Sequence, residues 1–306
     1  MDAVWQWGLE FIRTIQLVHG PALDAFFKAI TFMGEEEFFL LLVPLVFWCV
    51  DFVVGARLAF AFIIGYYCNA GLKEIFAHPR PFTLDPTVGL HHGVTGYGLP
   101  SGHSQSSVVV WGVLATQFRK RWLWVVAISL MILIGFSRVY LGVHFPTDVL
   151  AGWTVGAVFL AAFVVLGPRI EDWLKSTGLA VQLALAVGLS LVMGLIFPGP
   201  VDKVITTIAT LGGMGVGLAL YGRLLSFDAG GSTWLRVKRF LVGVVGLAFV
   251  YFGLKIAFPG EGEPFYTAMR LVRYGLVGVW VTFGAPWLFV RLKLSADDEW
   301  GQESLG

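Results

Sequence analysis

The chain has 306 residues, of which 57% are apolar and only 13% charged, with a mean hydropathy of +0.78. A soluble domain carries roughly 25% charge, and apolar runs as long as these cross bilayers, so composition excludes a soluble globular enzyme and predicts a polytopic membrane helix bundle. A net charge of +1 gives no footing for nucleic-acid binding, and Cys49 and Cys68 sit in apolar runs, as buried thiols rather than a disulfide framework or metal site.

Residues 4–33 read as two short amphipathic segments broken at Gly20 and Pro21. The first basic residue is Arg13, the stretch before it is rich in tryptophan, and no small-residue cleavage site follows, so a cleavable signal peptide is not expected. Apolar residues (Trp5, Trp7, Phe11, Ile15, then Leu23, Phe26, Phe27, Ile30) alternate with Glu10, Arg13, Asp24 and Lys28. Such segments either lie along the membrane surface or pack on the bundle as short buried helices.

Apolar runs follow at residues 36–51, 56–77, 101–118, 122–137, 148–167, 178–197, 204–222, 240–257 and 268–290, about nine spans if every one inserts. The run at 38–50 is short and contains Pro44. Alternating the loops collects Arg57, Arg119, Lys120, Arg121, Arg169, Lys175, Arg223, Arg236, Lys238, Arg239, Arg291 and Lys293 on one side. The bias of basic residues toward the cytoplasm makes that side internal. Turns such as Pro198-Gly199-Pro200 and the 259–264 segment separate the later helices, which carry no chemical cluster. The expected organisation is therefore an N-terminal surface segment (1–35), a catalytic helical core (36–167), additional transmembrane helices (168–294) and a polar, frayed tail (295–306).

Polar residues that are hard to place in such a chain gather in residues 73–148, in three clusters on the face opposite the basic loops. The first holds Lys73 and Arg80, where the His78-Pro79-Arg80-Pro81 stretch ends the helix and swings Arg80 in on a stiff loop. The second is Pro100-Ser101-Gly102-His103. There Pro100 suits the first helical position, the unpaired N–H groups of the opening turn attract an anion, and Gly102 permits close approach. Ser101 offers a hydroxyl, and His103 can pass a proton to a leaving oxygen.

The third cluster is Ser137-Arg138, then His144 and Asp148 four residues apart. At that spacing the carboxylate can bind one imidazole nitrogen and leave the other free to attack phosphorus. Arg138 presents a planar fork to phosphate oxygens. Three cations match the charge that builds on a transferring phosphoryl group, and the absence of a carboxylate pair at ligand spacing favours metal-free chemistry. Singly, each residue has an ordinary reading: snorkelling cations, a hydrogen-bonded histidine, a Ser-Gly packing contact. It is their conjunction on one face that points to chemistry, since ionisable groups at membrane depth are costly.

The set Lys73-x6-Arg80-Pro81, Pro100-Ser101-Gly102-His103 and Ser137-Arg138-x5-His144-x3-Asp148 resembles the three-part signature of the type 2 phosphatidic acid phosphatase superfamily. That superfamily includes lipid phosphate phosphatases, isoprenoid pyrophosphate phosphatases, glucose-6-phosphatase and vanadium haloperoxidases. The resemblance covers about residues 36–167 and implies a six-helix core and no metal or other cofactor. It implies His144 as the nucleophile that forms a phosphohistidine, Asp148 as its orienting group, and His103 as general acid and then base. Lys73, Arg80, Ser101, Gly102 and Arg138 would hold the phosphate. The chain departs from a minimal bacterial core in its helices after about residue 170 and in lacking a clear first span before residue 35.

A metal-independent lipid phosphate or pyrophosphate phosphatase of the bacterial inner membrane is thus expected, its site facing the periplasm or exterior, with the bilayer and a lipid phosphate as partners. The alternatives are a lipid phosphotransferase using the same histidine and a transporter. The transporter requires polar residues deep in the later spans, whereas Lys255, Arg270 and Arg273 read as lying near helix ends. His91 and His92 read as loop residues that could reach a head group, and Phe82, Tyr97 and Tyr140 as the lining of a lipid approach.

Overall fold

A computed structural model describes residues 3–91 and 93–296. His92 and all but the first two residues of the polar tail lie outside the described residues. The helices are α1 (Ala3–Gln16), α2 (Pro21–Phe32), α3 (Glu36–Cys49), α4 (Phe52–Phe76), α5 (Pro81–Leu84), α6 (Gly102–Phe118), α7 (Arg121–Tyr140) and α8 (Pro146–Ser176). They continue with α9 (Leu179–Ile196), α10 (Ile205–Leu224), α11 (Thr233–Ala257), α12 (Tyr266–Val279) and α13 (Ala285–Arg291), the last two joined by a π turn at Trp280–Gly284.

Seven helical segments among the described residues are long and apolar enough to cross a membrane. The difference from the nine expected runs lies in α3 and α6, of 14 and 17 residues. At about 1.5 Å per residue a helix of that length falls short of a hydrocarbon core of about 30 Å. Pro44 inside α3 and the polar opening of α6 shorten their apolar reach further.

Two compact units divide the chain, residues 1–40 with 64–167 and residues 41–63 with 168–306, and α3, α4 and α8 each contribute to both. The first unit contains all three polar clusters. Within it the amphipathic N-terminal helices pack inward: Leu9 and Ile12 of α1 join Val88, Val139, Phe145 and Val149 in one buried cluster, and Phe27 of α2 joins Tyr140, Leu141 and Val143 in another. Of the two readings left open for residues 4–33, these contacts support packing on the bundle.

Helix α8 meets α6 through Gly152 and Gly156, one turn apart. A Cβ at Gly152 would come within 2.6 Å of the Ser101 carbonyl oxygen, and one at Gly156 within 2.9 Å of Val108 Cβ. Within lipid there is little hydrophobic gain in joining helices, so small residues that let backbones approach supply the packing. That close approach brings the start of α8 to the start of α6.

In the second unit, Phe47, Trp48, Phe227, Ala285 and Phe289 form the buried centre. Fully buried Arg239 donates to the carbonyls of Asp228 and Gly230, and Arg57 pairs with Glu171 at 2.7 Å. Arg273 sits between the rings of Tyr251 and Tyr274. It is the eighth residue of α12, deeper than a helix-end position, which its residue type alone did not disclose.

Candidate active site

Four backbone hydrogen bonds assemble the clusters. Gly98 N donates to the His78 carbonyl at 2.8 Å and Ser101 N to the Asp148 carbonyl at 2.9 Å, while Val143 N and His144 N both donate to the Arg138 carbonyl. Each polar segment is thereby tied to its neighbour before any side chain is considered.

Helix α4 ends at Phe76 because Ala77 takes a left-handed conformation (φ 45°) and Pro79 and Pro81 follow. Lys73 therefore stays on the last turn while Arg80 enters as a buried side chain, as the motif predicts. Each nitrogen of its fork is anchored: Nε donates to Gly96 O at 2.8 Å, Nη2 to Thr95 O at 3.1 Å, and Nη1 to Val143 O at 3.0 Å. Nη1 also lies 3.1 Å from His144 Nε2.

That last contact sets the chemistry of His144. A guanidinium only donates, so Nε2 is the acceptor and the ring proton sits on Nδ1, which faces Asp148 Oδ2 at 3.3 Å. The carboxylate is itself fixed. Asp148 is the third residue of α8 and accepts from the Phe145 N–H at 3.0 Å, the reach-back of a capping box. His144 lies in the turn between α7 and α8, where burial, and after it the Arg80 guanidinium, holds its imidazole well below the ordinary value. It is neutral, and its lone pair points at a cation.

The second cluster differs from its sequence reading in one respect. Pro100 precedes the helix rather than occupying its first position, and Ser101 is the N-cap. The Ser101 hydroxyl accepts from Ser104 N at 3.4 Å and from Ser104 Oγ at 2.9 Å, since capping satisfies an otherwise orphaned N–H. Gly102 opens the helix, where an added Cβ would lie 3.2 Å from Asn69 Oδ1 and 4.0 Å from Lys73 Nζ. His103 packs against Gly34, and its Nε2 has no partner among the described residues.

Arg138 is buried at the end of α7, with Nη1 donating to the hydroxyl of Thr31 in α2. Its Nε likewise has no partner among the described residues. Buried polar atoms are normally satisfied, so these two nitrogens mark the site as built for a further polar group.

Sequence reading missed the shell beneath these residues. Asn69 Nδ2 donates to Pro100 O at 3.3 Å and to Gln105 Oε1 at 2.8 Å, and Gln105 Nε2 donates to Gly65 O at 2.8 Å, so α4 is laced to α6 below the glycine. A polar Asn and Gln within apolar runs were the available signal. One expected lining residue is corrected. Tyr140 is fully buried in the core, its hydroxyl donating to Asp24 Oδ1 at 2.6 Å, while Phe82 is half-buried at the edge of the same cluster. Tyr97 remains exposed, and His91 faces Glu35 at 4.0 Å.

The family model described as "PAP2 superfamily" matches residues 54–171, and that of the "PAP2 superfamily phosphatase, transmembrane extension" matches residues 205–297. Phosphatidylglycerophosphatase B of Bacillus subtilis is 32% identical over 164 residues, covering 49% of this chain and 77% of that protein. An undecaprenyl-diphosphatase of Sulfolobus acidocaldarius is 35% identical over 130 residues, 40% of this chain and 62% of the relative, so under two thirds of the relative is spanned. Sphingosine-1-phosphate phosphatase 1 of Rattus norvegicus is 26% identical over 310 aligned positions, covering 87% of this chain and 71% of that protein.

Proposed function

We propose, from the premise that the chain belongs to the PAP2 superfamily, that it is an integral-membrane phosphatase hydrolysing a lipid phosphate or pyrophosphate through a phosphohistidine on His144. The observation that carries the reading is the pair of contacts on the His144 ring, Nδ1 at 3.3 Å from Asp148 Oδ2 and Nε2 at 3.1 Å from Arg80 Nη1, from which the Nδ1–H tautomer follows. In the first half-reaction Nε2 attacks phosphorus, the P–O bond to the lipid breaks, and His103 gives its proton to the departing oxygen. In the second, His103 takes a proton from water, the resulting hydroxide attacks phosphorus, and the P–N bond breaks to restore His144.

Lys73, Arg80 and Arg138 offset charge on the phosphoryl oxygens, with the Gly102 backbone at the helix N-terminus. Ser101 holds that helix start in register. No step requires a metal. The basic loops favour a site on the outer face, with the lipid chain left in the bilayer.

The named relatives supply the substrate panel: undecaprenyl diphosphate, phosphatidylglycerol phosphate and sphingosine phosphate, with phosphatidic acid added. Phosphate release by purified protein in mixed micelles containing EDTA, abolished in His144→Ala, supports the reading. Release that persists in that variant overturns the nucleophile. Phosphoryl appearing on an added lipid alcohol instead of as free phosphate identifies a transferase using the same histidine.

A further inference from the structure

Two imidazoles face the Asp148 carboxylate, one on each oxygen. His144 Nδ1 lies 3.3 Å from Oδ2, and His78 Nδ1 lies 3.3 Å from Oδ1. The partner of the second ring sets its tautomer, as Arg80 sets that of the first. The indole N–H of Trp5 donates to His78 Nε2 at 2.6 Å. An indole can only donate, so a neutral His78 carries its proton on Nδ1, which lies 3.3 Å from Asp148 Oδ1, close enough for a charge contact though not aligned as a hydrogen bond.

The arrangement is held from several directions. His78 lies between left-handed Ala77 and Pro79, its carbonyl accepts from Gly98, and its ring meets those of Trp5 and Phe145 edge-on at 5.2 and 6.0 Å. Trp5 belongs to α1, which is anchored independently. Leu9 and Ile12 are buried, and Gln16 Nε2 donates to the carbonyls of Val88 and Tyr140 at 2.9 and 2.7 Å.

We propose that His78 is a positioning residue for Asp148 and that Trp5 sets its tautomer, which makes the N-terminal helix part of the catalytic apparatus. The inference rests on the phosphatase reading above. A carboxylate with one oxygen on His144 and no imidazole beside the other would turn about its Cβ–Cγ bond toward other donors, since unpaired buried acceptors are costly. With His78 on Oδ1, Oδ2 stays on His144 Nδ1, both before attack and when the phosphorylated ring carries positive charge. His78 does not touch the phosphoryl group, so its loss should act on turnover and leave substrate binding alone.

The experiment is steady-state kinetics on the full chain in mixed micelles, using the lipid phosphate that the wild type hydrolyses, with thermal unfolding in detergent as the fold control. Wild-type release that His144→Ala abolishes establishes the phosphatase reading by itself, and its absence sinks both. His78→Phe is expected to lower kcat on the order of 10- to 100-fold with KM unchanged, the size usual for a group that orients another. His78→Asn, which keeps an N–H donor near the Nδ1 position, should recover to within about 5-fold of wild type.

Trp5→Phe, which keeps the ring and removes the N–H, should lower kcat by a smaller factor. Wild-type kcat in His78→Phe, equal losses in the Phe and Asn variants, or a rise in KM alone each overturns the proposal. Should His78→Phe not fold, a near-normal His78→Asn beside a slowed Trp5→Phe supports it, and a Trp5→Phe at wild-type kcat overturns it.

Discussion

The backbone N–H of Ser101 donates to the backbone carbonyl of Asp148 at 2.9 Å, so the residue that caps α6 and the residue that orients His144 share one hydrogen bond. The start of α6 and the backbone that carries the carboxylate are thereby tied to each other. That bond exists because Gly152 lets α8 lie against the Ser101 carbonyl.

Gly152→Val tests this coupling. The added side chain meets backbone at Ser101 and the Ser104 Cβ at 2.9 Å, so α8 must shift. Overpacking of this kind costs about 1–3 kcal/mol, and a displacement near 1 Å at reacting atoms costs about 10²-fold in rate. A lowered melting temperature with at least that loss of kcat is expected. Wild-type kcat and melting temperature would show that the contact is not needed.

Arg80→Lys should be far from conservative. The guanidinium serves the carbonyls of Thr95, Gly96 and Val143 as well as His144, and an ammonium cannot reproduce a planar fork. Both a raised KM and a kcat lower by about 10²-fold are expected, because loop order and the cation beside His144 are lost together. Kinetics indistinguishable from wild type would remove Arg80 from the site.

The pH dependence follows from His144. Its folded pKa lies well below the ordinary imidazole value, through burial first and Arg80 second. The unfolded chain therefore takes up a proton as pH falls below about 6.5 while the folded chain does not. Stability from this group is fully present above that pH and declines as pH falls toward the folded pKa. Melting in detergent should drop more steeply between pH 7 and pH 5 for wild type than for His144→Ala, and parallel curves would refute the assignment.

Orientation can be read with a thiol. Thr95→Cys, at an exposed position in the loop that Arg80 holds by a backbone carbonyl, keeps that bond. With Cys49 and Cys68 replaced, an impermeant maleimide added to intact cells should label it. Labelling only after permeabilisation would place the site on the inner face.

Much of the site was legible because its residues are conspicuous by expense. Lys73, Arg80, His103, Arg138, His144 and Asp148 are polar groups in an apolar chain, and proline or glycine beside them breaks helices at defined places. Local rules also put the ends of α4 and α7 and the start of α8 within a few residues of where they lie, whereas α8 runs on to Ser176, beyond the expected end at residue 167. The role of Pro100 was misjudged by one position, because a proline just before a capping serine and a proline at the first helical residue share one local pattern. Tyr140 was misplaced for a different reason. An aromatic at a helix end reads as interfacial until its partner Asp24, far away in the chain, is known.

What the sequence alone determined is the class of molecule and the inventory of its chemistry: a membrane helix bundle with a cation-rich, two-histidine cluster on one face. Periodicity and composition report on burial, and they suffice for that. The tertiary structure decided which atoms meet. That Gly152 and Gly156 draw α8 onto α6, that Arg80 fixes the His144 tautomer, and that Trp5 reaches His78 are contacts between elements remote in the chain. No residue's local pattern encodes its distant neighbour, and only the packing of helices against one another sets those distances.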